Sequence, residues 1–271
     1  MEPKKLQYLI ERDQTITKAN ELIRNTRFSL SVIEQKIVLY LISQIKPTDQ
    51  NMKLYSFNIR EFCTVCGMSI PNGAAYTELK DIIKKLADKS VWIRLPDQKT
   101  DTLLRWIEKP YINEHSGTIK IRLDRDMMPF LLQLKKNFTQ YQLIYTLALR
   151  SKYSIRFYEL IKSLHFHKDE ELTQAISLED LRRALGAETY TRYPDFRVRV
   201  LKPAVEEINQ YTDETIICEP VKVGRRVDEI LITIKPKGMV EKMRVRDEID
   251  KELGTDQQIM WDFVKDWKTS E

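Results

Sequence analysis

The sequence predicts an α+β fold in which one order of elements occurs twice along the chain. That order is helix, strand, short helix, turn, helix and β-hairpin. Two observations support it: apolar residues recur every three or four positions behind capping residues, and β-rich segments bounded by Gly, Pro and Asn follow each pair of helices. The chain has 271 residues, 42% of them hydrophobic, so we expect about two domains with cores of their own.

The first half of the chain contains a helix, a strand, a short helix, a turn, a second helix and three strands. These elements are expected at residues 28–45, 54–59, 58–67, 71–73, 74–88, 91–95, 103–111 and 118–123. In the first helix, Ser31 and Glu34 have the spacing of a capping box, and Pro47 ends the apolar stripe. Helical segments over 126–134 and 141–164 then lead into the second half.

The same order returns in the second half of the chain. The strand, the two helices and the hairpin strands are expected at residues 172–176, 178–185, 196–211, 215–222 and 229–235. Ser177 caps the first of these helices, with Asp180 at the third helical position, and Gly186 closes it. The repeated order is that of a winged helix-turn-helix, whose second helix commonly enters the DNA major groove.

We therefore predict two tandem winged-helix domains and a tail. Their expected bounds are 1–135 for the N-terminal winged helix, 136–238 for the C-terminal winged helix as the main DNA-reading unit, and 239–271 for an acidic helical tail. Residues 241–271 have a net charge of −3, so the remainder of a chain with a total of +5 carries +8. A basic body of this kind suits a polyanionic partner such as DNA.

Helix 196–211 and the hairpin behind it are the expected DNA contact. Val198, Leu201, Val205 and Ile208 cluster on one side at helical spacing, which we interpret as the core face, and Arg199 projects nearly opposite. Pro203 removes a backbone hydrogen bond, so a kink or a later helix start is expected there. The candidate cations are Arg192, Arg197, Arg199, Lys202, Lys222, Arg225 and Arg226, with Lys80, Lys84 and Lys85 of helix 74–88 as a second contact directed at the DNA backbone.

Five short sequences resemble the initiator replication proteins of theta-replicating, iteron-bearing plasmids. They are KANELI at 18–23, FSLSVIEQK at 28–36, SKYSIRFYELIK at 151–162, FRVRVLKPA at 196–204 and EIN at 207–209. The similarity runs from about residue 17 to 236. It implies two winged-helix domains of common origin, and it places Pro203 where the family also has a proline.

The resemblance also implies a function and a set of partners. Monomers would bind direct repeats at a plasmid origin, dimers would repress the protein's own gene, and host initiator and helicase components would be recruited. No nuclease activity and no cofactor are implied. The family's recognition helix nominates Arg197, Arg199 and Lys202 for the major groove, and Val198 stands where relatives often have another basic residue.

Two other classes of protein remain as alternatives. His165-Phe166-His167 has the form of the metal-binding triplet of rolling-circle nucleases, and Tyr158 with Lys162 could supply their tyrosine motif. The triplet follows a helical segment, however, and the tyrosine precedes it by too little chain. A dimeric winged-helix transcriptional repressor, which would bind an inverted repeat, is the other alternative.

Further motifs point to packing and solubility. Cys63 and Cys66 have zinc spacing without a second ligand pair, so we expect a packing role and no metal. No nucleotide-binding loop, secretory signal or membrane-spanning segment is evident, which predicts a cytoplasmic, non-enzymatic protein without membrane contact. An aromatic stripe in the tail, Trp261, Phe263, Val264 and Trp267, favours a helix packed on the protein itself, with docking of a host partner as the alternative.

Overall fold

The structure is a computed structural model that describes residues 11–26, 29–65, 73–94, 100–113, 115–165 and 170–253. Within these ranges, the side chains of residues 73–76, 78 and 94 are not among those described. No helix in this part of the chain is long and apolar enough to cross a bilayer.

The first half of the chain begins with a strand and a short helix that the sequence did not predict, and the predicted order of helices and strands follows them. Its elements are β1 (Thr15–Ala19), α1 (Asn20–Arg24), α2 (Val32–Ser43), β2 (Tyr55–Asn58), α3 (Ile59–Val65), α4 (Gly73–Asp88), β3 (Ser90–Arg94), β4 (Asp101–Arg105), β5 (Tyr111–Asn113) and β6 (Thr118–Ile121). Helix α2 begins with the predicted capping box: Ser31 Oγ accepts the N–H of Glu34, and the Glu34 carboxylate accepts the N–H of Ser31.

The second half repeats the order. Its elements are a 3₁₀ turn (Arg125–Met127), α5 (Met128–Leu131), β7 (Phe138–Gln142), α6 (Ile144–Leu147), α7 (Lys152–Leu164), β8 (Leu172–Ser177), α8 (Leu178–Leu185), α9 (Tyr193–Phe196), a π-helical segment (Arg197–Leu201), α10 (Lys202–Tyr211), β9 (Glu214–Val223), β10 (Arg226–Pro236) and α11 (Met239–Glu252). As predicted, Ser177 Oγ accepts the N–H of Asp180, and Gly186 ends α8 at a φ of 64°.

Both halves form the same three-stranded antiparallel sheet. The strand orders are β2-β6-β5 and β8-β10-β9, so in each unit the strand between the first two helices pairs with the last strand of the hairpin. The first unit has one addition, a two-stranded ribbon of β3 and β4 inserted after α4. The strand expected over 103–111 is therefore wrong: it is divided between β4 and β5, and Pro110 between them cannot donate to a ladder.

The helix expected over 141–164 is also shorter than predicted. Its first residues belong to β7, which pairs antiparallel with β1 more than a hundred residues earlier. Thr139 and Tyr141 are buried and Gln140 is exposed, which is the period-two pattern of a strand. Helix α7 begins after Ser151, whose hydroxyl accepts the N–H of Tyr153.

Helix α7 lies at the junction of the two units. Its buried Arg156 donates to the carbonyl of Ile23 in α1 and to that of Ala184 in α8, both at 3.0 Å. Its buried Glu159 pairs with Lys18 of β1, with 2.5 Å between Oε1 and Nζ. One helix therefore supplies polar contacts that join the start of the chain to the second winged helix.

The tail begins as a helix that packs on the body of the protein. In α11, Val245 and Ile249 are buried, and the Asp250 carboxylate lies 3.2 Å from the guanidinium of the buried Arg12. Arg246 pairs with Asp13. Helix α11 ends at Glu252, and the aromatic stripe lies outside the described residues.

Candidate nucleic-acid interface

The second helix of the C-terminal winged helix consists of α9, the π-helical segment and α10, residues 193–211; we call it the reading helix. Pro203 has no N–H to donate. Just before it, the N–H of Lys202 donates to the carbonyl of Arg197, five residues back. The irregularity expected near Pro203 is therefore a π turn, which adds a residue to one helical turn.

The π turn changes which residues of the reading helix are buried. Phe196, Val200, Ala204 and Ile208, four apart, are buried, together with Leu201. The prediction that Val198 belongs to the core face is wrong, since the residue is 64% exposed. A period of 3.6 residues would have placed it beside Leu201, and the wider turn rotates it away.

The predicted cations of the reading helix are exposed. Arg197 and Arg199 form no ion pair with any carboxylate in the described part of the chain, whereas Lys202 lies 3.8 Å from Glu206. Arg192, just before the helix, lies 3.8 Å from Asp195. Exposed pairs of this kind contribute about 0–1 kcal/mol, so these cations can exchange a carboxylate for a phosphate.

A groove of about 460 Å³ separates the reading helix from the wing, the hairpin of β9 and β10. Arg197 and Lys202 line it from the helix, and Lys222 lines it from the wing. Cys218 also lines the groove, and burial raises the pKa of its thiol to about 12, so it is neutral at physiological pH. The groove therefore brings three predicted cations together.

The tip of the wing carries the other predicted cations. Val223 pairs with Arg226, and the turn between them is completed by Gly224, whose φ of 63° is left-handed, and by Arg225. Lys222, Arg225 and Arg226 are exposed, and none forms an ion pair with a carboxylate of the described ranges. A cationic hairpin tip of this kind suits phosphate contacts.

Side-chain contacts fix the wing and the helix in place. Asn209 of α10 donates to the carbonyl of Ile216 at 3.0 Å and accepts the N–H of Ile216 at 2.7 Å, which ties β9 to the helix. Arg182 of α8 lies 5.4 Å from the ring centroid of Phe196 and donates to the carbonyl of Thr191. Nothing in the sequence pattern indicated these contacts, because each depends on the tertiary fold.

The second predicted contact lies on the other winged helix. Lys80, Lys84 and Lys85 are exposed on α4, whose Leu79, Ile83 and Leu86 are buried. These lysines lie on a different unit from the reading helix and do not share its groove. Their helix corresponds to the reading helix by its place in the repeated order of elements.

The nuclease alternative depends on a tyrosine that can reach DNA. Tyr158 is fully buried in α7 and donates to the Asp213 carboxylate at 2.7 Å. Burial, followed by the charge of Asp213, raises its pKa well above the usual value. Lys162 pairs with Asp213 and Glu214 at 3.0 and 2.7 Å, so the supposed motif forms a core network.

The histidine triplet is only partly described. His165 Nε2 lies 2.5 Å from the carbonyl oxygen of Glu170, whereas Phe166 and His167 lie outside the described residues. Among those that are described, no group of three His, Cys, Asp or Glu side chains could hold a metal ion. Cys63 is buried, which raises its pKa to about 11, and Cys66 lies outside the described ranges.

The fold and this cationic surface define a DNA-binding protein of the tandem winged-helix class. Comparison with protein families gives two matches: "Initiator Replication protein, WH1" over residues 15–162 and "Initiator Rep protein, WH2" over residues 177–234. The chain belongs to the family of initiator replication proteins. The predicted family and the predicted fold of two winged-helix domains are both confirmed.

A relative and a solved structure agree with the family match. The PI protein of Escherichia coli is 23% identical over 255 residues, which are 82% of this chain and 82% of that protein. A crystal structure of Pi initiator protein in complex with iteron DNA has a TM-score of 0.68 and 19% identity, covering 83% of this chain and 98% of the other.

Proposed function

We propose that this protein initiates plasmid replication by binding directly repeated origin sequences, or iterons, as a non-enzymatic DNA-binding protein. The observation that carries the proposal is the cationic surface of the C-terminal winged helix, where Arg197, Arg199 and Lys202 face outward beside a basic wing. The similar Pi protein, solved in complex with iteron DNA, supports the same function for this chain.

In the proposed complex, each winged helix has its own task. The reading helix enters the major groove, where arginine can donate two hydrogen bonds to guanine, and the wing contacts phosphates. The lysines of α4 contact the backbone of a neighbouring segment. Two units on one face of DNA reach positions about one turn apart, so we expect a site about two turns long. In this proposal the boundary between the N-terminal and the C-terminal winged helix lies between residues 135 and 136.

Other partners follow from the family rather than from the surface described here. We propose that the protein acts in the cytoplasm, where the plasmid origin and the host's replication initiator and helicase components are found. The acidic end of the tail is a candidate contact for these components. A dimer would repress the protein's own gene, which makes the amount of free monomer a control on plasmid copy number.

The inserted ribbon supports self-association. Trp92 and Leu103 are opposite each other in β3 and β4, and the two residues are 61% and 48% exposed. The ribbon has two strands among the described residues, and this apolar pair lies on its exposed face. A second copy could pack its own ribbon against this face by a two-fold axis and bury both apolar side chains.

Plasmid maintenance tests the proposed function and separates it from the nuclease alternative. A plasmid whose replicon is this gene with its flanking DNA should be maintained by the wild type and lost when Arg197 and Arg199 are both changed to Ala. Tyr158→Phe should retain maintenance, because phenylalanine keeps the buried ring and loses only the hydrogen bond to Asp213. Loss of maintenance by a folded Tyr158→Phe protein, with a covalent protein–DNA adduct in the wild type, would favour the nuclease.

A further inference from the structure

Val198 has an unusual position for an apolar side chain. It lies between two arginines on the reading helix, and the residue is 64% exposed. Val198, Lys202 and Glu206 are four residues apart and exposed, midway between the buried positions 196, 200, 204 and 208. Val198 therefore lies on the exposed face of the reading helix, the surface that would enter the major groove.

We propose that Val198 reads the C5-methyl group of a thymine, and that it is a specificity-determining residue for the origin sequence. This inference rests on the proposed function, because it requires the reading helix in the major groove. Thymine is the base that presents a methyl group there, and apolar side chains are its usual partners.

Two features make valine suitable for this contact. A β-branched side chain has one strongly preferred rotamer in a helix, so its methyl groups lie at a fixed position before DNA binds. Val198 is also in the N-terminal half of the reading helix, the part that commonly contacts base edges. Since Arg197 and Arg199 flank it, we expect the thymine within two base pairs of a guanine that one of them contacts.

Deoxyuridine substitution isolates the methyl group. Deoxyuridine keeps every hydrogen-bonding group of thymidine and lacks only the C5-methyl. The probe is the duplex that wild-type protein selects from a random pool, with each thymidine replaced in turn, and binding is titrated at one fixed salt concentration. The proteins are wild type, Val198→Ala and, as a matched control, Val223→Ala, which removes a valine of similar exposure (68%) from the wing.

The expected result is one thymine at which the losses of affinity caused by deoxyuridine and by Val198→Ala are not additive. There, deoxyuridine should weaken wild-type binding about fourfold, the effect of one buried methyl group, and should not weaken Val198→Ala further. Val223→Ala should retain the full fourfold effect. The melting temperature of Val198→Ala should equal that of wild type, because the side chain is exposed.

Three results would overturn the inference. The first is a selected sequence without thymine. The second is that deoxyuridine weakens binding of wild type and of Val198→Ala by the same factor at every position. The third is that Val198→Ala loses the same factor of affinity on selected and scrambled duplexes. In each case the wild type would still prefer its selected sequence, and the proposed function would stand. A wild type that binds scrambled DNA equally well would instead contradict the proposed function itself.

Discussion

Arg199 and Lys84 represent the two kinds of contact that the proposed complex contains. Both side chains are exposed, but Arg199 lies on the reading helix and Lys84 lies on α4 of the other unit. A guanidinium can form two directed hydrogen bonds to a guanine edge, whereas an ammonium group acts mainly as a point charge near phosphates. The two residues should therefore contribute differently to affinity and to specificity.

Arg199→Ala should weaken binding to the selected duplex by about 1–3 kcal/mol and relax the base preference at one position. Lys84→Ala should weaken binding to selected and scrambled duplexes by the same factor and reduce the slope of log affinity against log salt by about one. Titrations of both duplexes at several salt concentrations measure these effects. An Arg199→Ala variant that loses the same factor on both duplexes would show that this arginine contacts only the backbone.

Among the elements, the β3–β4 ribbon is the largest difference between the two winged helices. Its exposed Trp92–Leu103 pair would be covered in a dimer in which the apolar faces of two ribbons pack against each other. Leu103→Glu should therefore shift the protein towards the monomer, because it would place two carboxylates in an apolar interface.

Sedimentation at several protein concentrations measures that shift. Leu54→Glu is the matched control, since Leu54 is 46% exposed and lies outside the ribbon. Monomeric Leu103→Glu should retain binding to the selected duplex. A dimer that Leu103→Glu leaves unchanged would show that the interface lies elsewhere.

Elements whose signals are local could be predicted from the sequence. The capping box at Ser31, the left-handed Gly186 and the helix over α4 each depend on residues within a few positions of one another. The pairing of β7 with β1 could not be predicted, because its partner is more than a hundred residues away. The same limit affects the site: its cations were found from composition and helix order, but the exposure of Val198 depends on a π turn that periodicity does not reveal.

At the scale of the whole molecule, a cluster of buried charges joins helix α7 to strands β1 and β7. The Glu159 carboxylate lies beside Lys18 of β1, Arg156 of α7 and the hydroxyl of Tyr141 of β7. All four residues are buried. Burial alone would raise the pKa of Glu159, but Lys18 and Arg156 outweigh it and the pKa is lowered. The carboxylate is therefore ionised and paired at neutral pH.

Glu159→Gln should lower the free energy of unfolding by about 3–5 kcal/mol, since it leaves the buried Lys18 ammonium without its counter-charge. Adding Lys18→Met should recover part of that loss. Glu179→Gln is the control: its carboxylate pairs with Arg183 on the surface, so the cost should be below about 1 kcal/mol. Denaturant unfolding of the four proteins gives the comparison, and equal losses in the two Gln variants would contradict it.

The pH dependence of stability gives a second readout of the same cluster. A carboxyl group whose pKa is lower in the folded state stabilises the protein above its unfolded-state pKa. That contribution should disappear as the pH falls through the folded-state pKa of Glu159. The difference in free energy of unfolding between wild type and Glu159→Gln should therefore be largest at neutral pH and decrease in acid. A difference that does not change with pH would show that Glu159 is not ionised in the folded protein.

The most direct test of the central claim is selection of duplexes from a random DNA pool by the purified protein at one moderate salt concentration, followed by sequencing. Salt is fixed because phosphate contacts without sequence preference strengthen as salt falls. We predict one asymmetric sequence about two turns long, with copies in tandem at the origin of the plasmid that carries the gene. A symmetric sequence would instead indicate a dimeric repressor, and a pool without any enriched sequence would contradict the claim that this protein recognises an origin.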